Sequence, residues 1–174
     1  MIKGDYIGLR AIEKKDLNKL LEWRNKPEFR LFFREYRELG TDNQLQWYEK
    51  FVLNDPNTKM FAIVELKTNE LIGACGLCYI DWVNRNADFS IYIGKDDLYI
   101  DGIYAIDAAK VMEKYGFEEL NLHRLWAEIY SIDEKKIKFF KELQFVKEGQ
   151  FKETLWTRGR WVDSLFYGKL NRNV

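Results

Sequence analysis

Two stretches of this chain run from strand-like sequence straight into a helix start. That repeated passage limits the fold more than any other feature. Residues 88–94, DFSIYIG, alternate like a strand and lead through LYIDG into a helix predicted over residues 102–119, with Ala105, Ala108, Ala109 and Met112 at helical spacing. Residues 122–130 repeat the pattern and lead into a helix over 133–143, capped by Asp133 or Ser131; Ser131 to Glu134 fits a capping box. A helix N-terminus directly after a strand presents free backbone N–H groups, and ligand sites in α/β sheets collect there.

The remaining elements complete one layered domain over residues 1–174. A strand at 6–10 precedes helices at 15–25 and 42–53, the first ended by Pro27. Residues 60–66 and 71–79 read as a hairpin across Lys67-Thr68-Asn69-Glu70, and 145–151 and 161–170 as a closing hairpin around Thr157-Arg158-Gly159-Arg160. The order β-α-α-β-β-β-α-β-α-β-β predicts a mixed α/β (α+β) domain: a central, mostly antiparallel twisted sheet of about seven strands, flanked by about four helices.

Charge and cysteine usage exclude several functions. Lys plus Arg and Asp plus Glu number 28 each, so the total carries no footprint for nucleic acid or an anionic membrane. No apolar run reaches membrane-spanning length, and the N-terminus has no signal-peptide core, which makes the cytoplasm the default location. Aromatic residues form 16% of the chain, more ring than a core of this size uses, so some are expected to line a groove. Both cysteines lie in Cys75-Gly76-Leu77-Cys78, inside an apolar strand where residues three apart face opposite ways; with one histidine, His123, in the whole chain, no metal site is expected.

The segments and their order together resemble the GNAT superfamily of acetyl-CoA-dependent N-acetyltransferases, nearest its ribosomal-protein N-terminal and amino-sugar branch. The likeness rests on Ile7-Gly8-Leu9-Arg10-Ala11 with Glu22-Trp23-Arg24-Asn25, on Leu71-Ile72-Gly73, on residues 87–94, on Leu120-Asn121-Leu122-His123-Arg124-Leu125, and on Gly149 to Glu153 with Gly159 to Ser164. It implies that the fourth and fifth strands of the family splay apart. The pantetheine arm of acetyl-CoA would pair with Ile91, Tyr92 and Ile93, and its diphosphate would sit on amides at Gly102, Ile103 and Tyr104, with Asp133 at the next helix start. No metal is implied. The acceptor would be a primary amine, of a small molecule such as an amino sugar or of a peptide N-terminus. A homodimer is left open.

The same comparison exposes departures. The family's Gln/Arg-x-x-Gly-x-Gly/Ala falls on Tyr99, Gly102 and Tyr104, and Asp101 stands where phosphate would come. Two like charges ~4 Å apart repel by ~1 kcal/mol in water and ~4 kcal/mol at an effective dielectric near 20. The alternative is that Asp101 turns back and caps the helix. The family's Asn, Tyr and Gly-Phe become Asp133, Phe140 and Gln144-Phe145, so Phe140 cannot protonate a leaving thiolate; either CoA leaves as a thiolate or another donor serves, for which Tyr130 and Ser131 are the nearby candidates. Glu128 and Asp88, one on each splayed strand, are the candidates for drawing off the amine proton. Arg24 and Asn25 on one wall, with Trp156 and Arg158 on the other, are the acceptor-binding candidates. A catalytically impaired GNAT-fold binding or regulatory module is the alternative reading.

Overall fold

A computed structural model describes residues 1–172. One eight-stranded sheet runs in the order β1-β2-β3-β4-β5-β6-β8-β7. Its strands are β1 (Ile2–Lys3), β2 (Ile7–Ala11), β3 (Lys59–Glu65), β4 (Leu71–Asp81), β5 (Asn86–Ile93), β6 (Arg124–Tyr130), β7 (Val146–Thr157) and β8 (Arg160–Leu170). Every neighbouring pair is antiparallel except β5 with β6. The helices are α1 (Leu17–Asn25), α2 (Pro27–Arg30), α3 (Thr41–Trp47), α4 (Tyr104–Lys114) and α5 (Glu134–Glu142). No helix among the described residues is long and apolar enough to cross a membrane.

The differences from the sequence expectation have local causes. Pro27 closes α1 and also opens α2, since its fixed φ suits a first helical position. The helices expected over 42–53 and 102–119 each loosen into a π-helical turn, at Tyr48–Leu53 and Tyr115–Glu119. β7 extends to Thr157, beyond the predicted end, because it is exposed along most of its length and shows no alternation; register shifts at Lys147/Gly149 and Phe151/Leu155 break its period further. Its hairpin turn holds Arg158 and Gly159 at φ 49° and 76°, the pair of positive values a two-residue hairpin needs.

The core lies between the sheet and its helices. α4 lays Ala105, Ala108, Ala109 and Met112 on the sheet, all fully buried, as their spacing predicts. The buried carboxylate of Asp107 on the same helix accepts the backbone amides of Asp5, Tyr6 and Ile7 at 3.1, 2.7 and 3.0 Å. It thereby pins the turn into β2 and fixes α4 against the sheet edge.

Candidate active site

The site forms where the sheet opens. β5 and β6 are partners only from Asn86↔Arg124 to Asp88↔Trp126. Beyond that, β5 stays with β4 as far as Gly73↔Ile93, while β6 follows β8 to Tyr130↔Ser164. The Gly94 amide turns to Ile72 on β4, whereas the amide and carbonyl of Ile93 turn into the gap, where Tyr99 takes both at 2.7 and 2.8 Å. Backbone groups of alternate residues share a strand edge, so those of Ile91 also face the gap and those of Tyr92 face β4. Of the three predicted pantetheine contacts, Ile91 offers its backbone, Ile93 is already paired, and Tyr92 instead sends its ring into the adjoining pocket.

At the start of α4 the carboxylate of Asp101 accepts three backbone amides, from Ile103 at 3.0 Å, Tyr104 at 2.9 Å and Ala105 at 2.8 Å. Asp101 thus caps the helix, the alternative the sequence left open, and the N–H groups expected to face a phosphate are taken by the chain's own carboxylate. Tyr104 adds no phosphate contact, because its hydroxyl is bonded to Glu65, which also receives Lys95 and Thr68, each at 2.8 Å. The edge of β5 at Ile91 is thus left without a strand partner, whereas the amides at the start of α4 are taken by Asp101.

Next to the gap lies a pocket of about 270 Å³. Arg34, from the loop after α2, lines it and bridges the two splayed strands, reaching Asp88 Oδ2 at 2.9 Å and Glu128 Oε2 at 3.2 Å. Sequence reasoning found both carboxylates and missed the guanidinium between them. Burial opposes the charge on Arg34, but attraction to Asp88, the hydrogen bond to it and the pull of Glu128 outweigh this and raise its pKa. Burial raises the Asp88 carboxyl above its ordinary value, and Arg34 offsets only part of that. Ser164 Oγ donates to Glu128 Oε1 at 2.6 Å and fixes its orientation. Tyr130 lines the same pocket, and burial, then Glu128, holds its phenol protonated above its ordinary pKa.

The gap is closed on its far side by rings. Tyr99, at φ 60°, is buried, donates from its hydroxyl to Asp133 Oδ2 at 2.5 Å and stacks on Phe32 at 5.0 Å. Asp133 caps α5 through the Lys136 amide at 3.0 Å, so the cap is Asp133, while Ser131 accepts the Asp163 amide at 3.3 Å on the β8 side and no capping box forms. Burial raises the pKa of Asp133, against the pull of Lys136 and the Tyr99 hydrogen bond.

Other predicted residues fall outside the pocket. Asn25 spends its side-chain oxygen and nitrogen on the backbone of Leu39, at 3.0 and 2.8 Å, and so ties the loop to α1. Trp156 packs on Trp161 at the exposed hairpin, and Arg158 borders a separate cleft beside Asp133. Arg24 does line the pocket, on the wall of α1. Gly102 has open space around it and Ile103 is exposed. Cys75 and Cys78 are both free thiols, and no group of three metal-ligating side chains occurs among the described residues.

A sheet that splays beside a helix N-terminus, with carboxylates on both sides of the opening, is the architecture of an acyl-CoA-dependent amine acyltransferase. The chain matches the acetyltransferase (GNAT) domain family over residues 9–166 and belongs to it. It is 25% identical over 166 residues to an uncharacterized N-acetyltransferase, p20, of Bacillus licheniformis, covering 94% of this chain and 92% of that protein. It is 26% identical over 155 residues to a spermidine N(1)-acetyltransferase of Vibrio cholerae, covering 89% and 87%. A crystal structure of spermidine N-acetyltransferase from Vibrio cholerae, in complex with CoA and spermine, superposes with a TM-score of 0.85 at 25% identity over 95% of each chain. A putative ribosomal N-acetyltransferase of Bacillus subtilis is 26% identical over 179 residues, 97% of this chain and 93% of that protein; the spermidine acetyltransferases beside it mean that the likeness is not specific to the ribosomal and amino-sugar branch that the sequence suggests.

Proposed function

We propose that this N-acetyltransferase acetylates the primary amine of a small molecule, and that the amine is recognised as an ammonium by Asp88 and Glu128. The observation that carries this reading is the Arg34 bridge: two carboxylates, from different strands, converge on one cationic group at 2.9 and 3.2 Å. An ammonium that takes the guanidinium's place exchanges cation for cation and leaves no buried carboxylate unpaired. Relatives named as spermidine acetyltransferases support a cationic acceptor. The pocket of about 270 Å³ supports a small molecule over a protein terminus.

Acetyl-CoA supplies the activated acetyl thioester. Asp88 and Glu128 orient the ammonium and take its proton, and burial of Asp88 moves its pKa toward the working pH, where a base is most effective. The phenol of Tyr130, kept protonated by burial, holds a proton at the pocket wall for the departing thiolate. The test is CoA thiol release over a panel of diamines, amino sugars, amino acids and short peptides, with wild type, Asp88→Asn, Glu128→Gln and Arg34→Gln. The expected result is loss of transfer in the first two variants and a lower KM in the third. A raised KM in Arg34→Gln would refute the exchange of cations.

A further inference from the structure

The acceptor pocket holds more positive charge than recognition of an ammonium uses. Besides Arg34, it is lined by Arg24 from α1 and Lys136 from α5. Arg24 has five N–H donors, yet it makes one hydrogen bond, to Gln44 Oε1 at 3.2 Å, and rests over the Trp47 ring. The nearby Glu35 does not answer it, because Arg37 engages both Glu35 oxygens at 2.9 and 2.8 Å. The ammonium of Lys136 has no hydrogen-bond or ion-pair partner among the described residues; it faces the rings of Tyr99 at 5.4 Å and Phe33 at 6.0 Å. Burial lowers the pKa of both cations, only partly offset by Tyr92 and Glu35 at Arg24 and by Asp133 and Asp88 at Lys136.

A half-buried cation with unused donors is stabilised by any anion that brings acceptors to it. The pocket thus asks for two charges: a cation at Asp88 and Glu128, and an anion at Arg24 and Lys136. A polyamine would set its second ammonium against like charge. An amino sugar with no acidic group would leave both cations unanswered. A molecule that carries a carboxylate at the end opposite its reacting ammonium answers both ends.

We propose that the acceptor is an amino acid or a close analogue, its terminal ammonium replacing the Arg34 guanidinium on Asp88 and Glu128 and its carboxylate held by Arg24 and Lys136. This rests on the reading of the same pocket as the acetyl-acceptor site. The volume of 270 Å³ corresponds to about nine water volumes, room for a molecule the size of ornithine or lysine. The reaction is unchanged: the ammonium gives one proton to a carboxylate and attacks as the neutral amine, the amide C–N bond forms and the thioester C–S bond breaks, the amine nitrogen gives up a second proton, and the thiolate takes up one of the two, the other passing to solvent.

Matched acceptors that differ by one carboxylate test the proposal: L-ornithine against putrescine, and L-lysine against cadaverine. Binding is measured by calorimetry on the full chain, and transfer by CoA thiol release. The amino acids are expected to bind and react roughly tenfold to hundredfold better than their diamines, the span of one or two charge-assisted hydrogen bonds. Arg24→Gln and Lys136→Gln should each bring that ratio toward one, and Arg24→Lys should restore part of it. A diamine preferred in wild type, or a ratio that neither Gln variant moves, overturns the proposal; an equal loss for every acceptor in Lys136→Gln would assign that residue to catalysis instead. Ornithine bound through Arg24 with no transfer to any amine would sustain this inference and sink the proposed reaction. Transfer to diamines with no carboxylate preference would do the reverse.

Discussion

The carboxylate of Asp101 accepts the backbone amide of Ala105 at 2.8 Å, and with those of Tyr104 and Ile103 it occupies the N-terminus of α4, where the GNAT resemblance implies a cofactor diphosphate. A carboxylate and a diphosphate cannot share three N–H groups. If the diphosphate of acetyl-CoA takes that place, its binding includes the work of turning Asp101 out, plus whatever repulsion remains once it has turned.

Asp101→Asn separates those contributions from helix capping. Asn caps a helix about as well as Asp, so the thermal midpoint should hold nearly constant. CoA should bind more tightly by roughly fivefold to a thousandfold, matching ~1–4 kcal/mol of relieved repulsion. Pantetheine, which lacks the diphosphate, should bind the variant and the wild type alike. Calorimetry with the two ligands checks this; equal CoA affinity in both proteins would mean that Asp101 swings clear of the cradle without penalty.

Phe140 stands where a hydroxyl would help the thiolate leave, and the structure makes it a poor place to restore one. Its ring is 1% exposed and enclosed by Phe89, Phe139 and Phe145 at 6.0, 5.0 and 4.9 Å. A hydroxyl added to a ring so enclosed and left without a partner costs about 1–3 kcal/mol. Phe140→Tyr should lower the urea midpoint without raising the rate. Tyr130→Phe should slow thiol release by roughly 10²–10⁴-fold, the range of general acid catalysis. Faster turnover in Phe140→Tyr would show that its ring edge does reach the reacting sulfur.

How far the sequence reaches is seen by setting these residues side by side. The strands and the buried face of α4 were legible because alternation and helical spacing follow directly from burial on one face. Asp101 was legible as an alternative, since an acid at a helix start either caps it or repels phosphate. Arg34 was not legible. It lies in an aperiodic loop after Phe32 and Phe33, and only the closed chain brings it 54 residues along the sequence to Asp88. The partition of Ser131 and Asp133 was equally hidden, because both are good caps and the choice falls to the neighbouring β8, whose Asp163 amide takes Ser131.

The cysteines should be inert. Burial raises the pKa of Cys75, and that of Cys78 is pushed up to about 12, by burial first and then by Asp88, with Arg34 offsetting part. The thiolate is the reactive form. Ellman's reagent should therefore react slowly with the native protein and with both thiols in urea. Rapid reaction of one thiol in the native state would place Cys78, which borders the pocket, in open contact with solvent.

Lys136 carries the last prediction, which follows from proton linkage. Burial lowers its pKa below the ordinary lysine value; Asp133 and Asp88 pull it back up, and Arg34 pushes it further down. Between the lowered folded value and the ordinary ~10.4, the unfolded chain binds more protons than the folded one, so this residue makes stability rise with pH across that window. Below the window the folded protein bears the full penalty of a half-buried charge. Lys136→Met keeps an unbranched side chain and sets a thioether against the rings of Tyr99 and Phe33. The variant should therefore have a higher urea midpoint than wild type at pH 7, and the difference should shrink as pH approaches 10. Other groups that titrate in the same range do so in both proteins and cancel in the comparison. A wild type more stable than Lys136→Met at pH 7 would mean that Asp133 and Asp88 already satisfy the ammonium, and with it the need for an anion in the pocket would disappear.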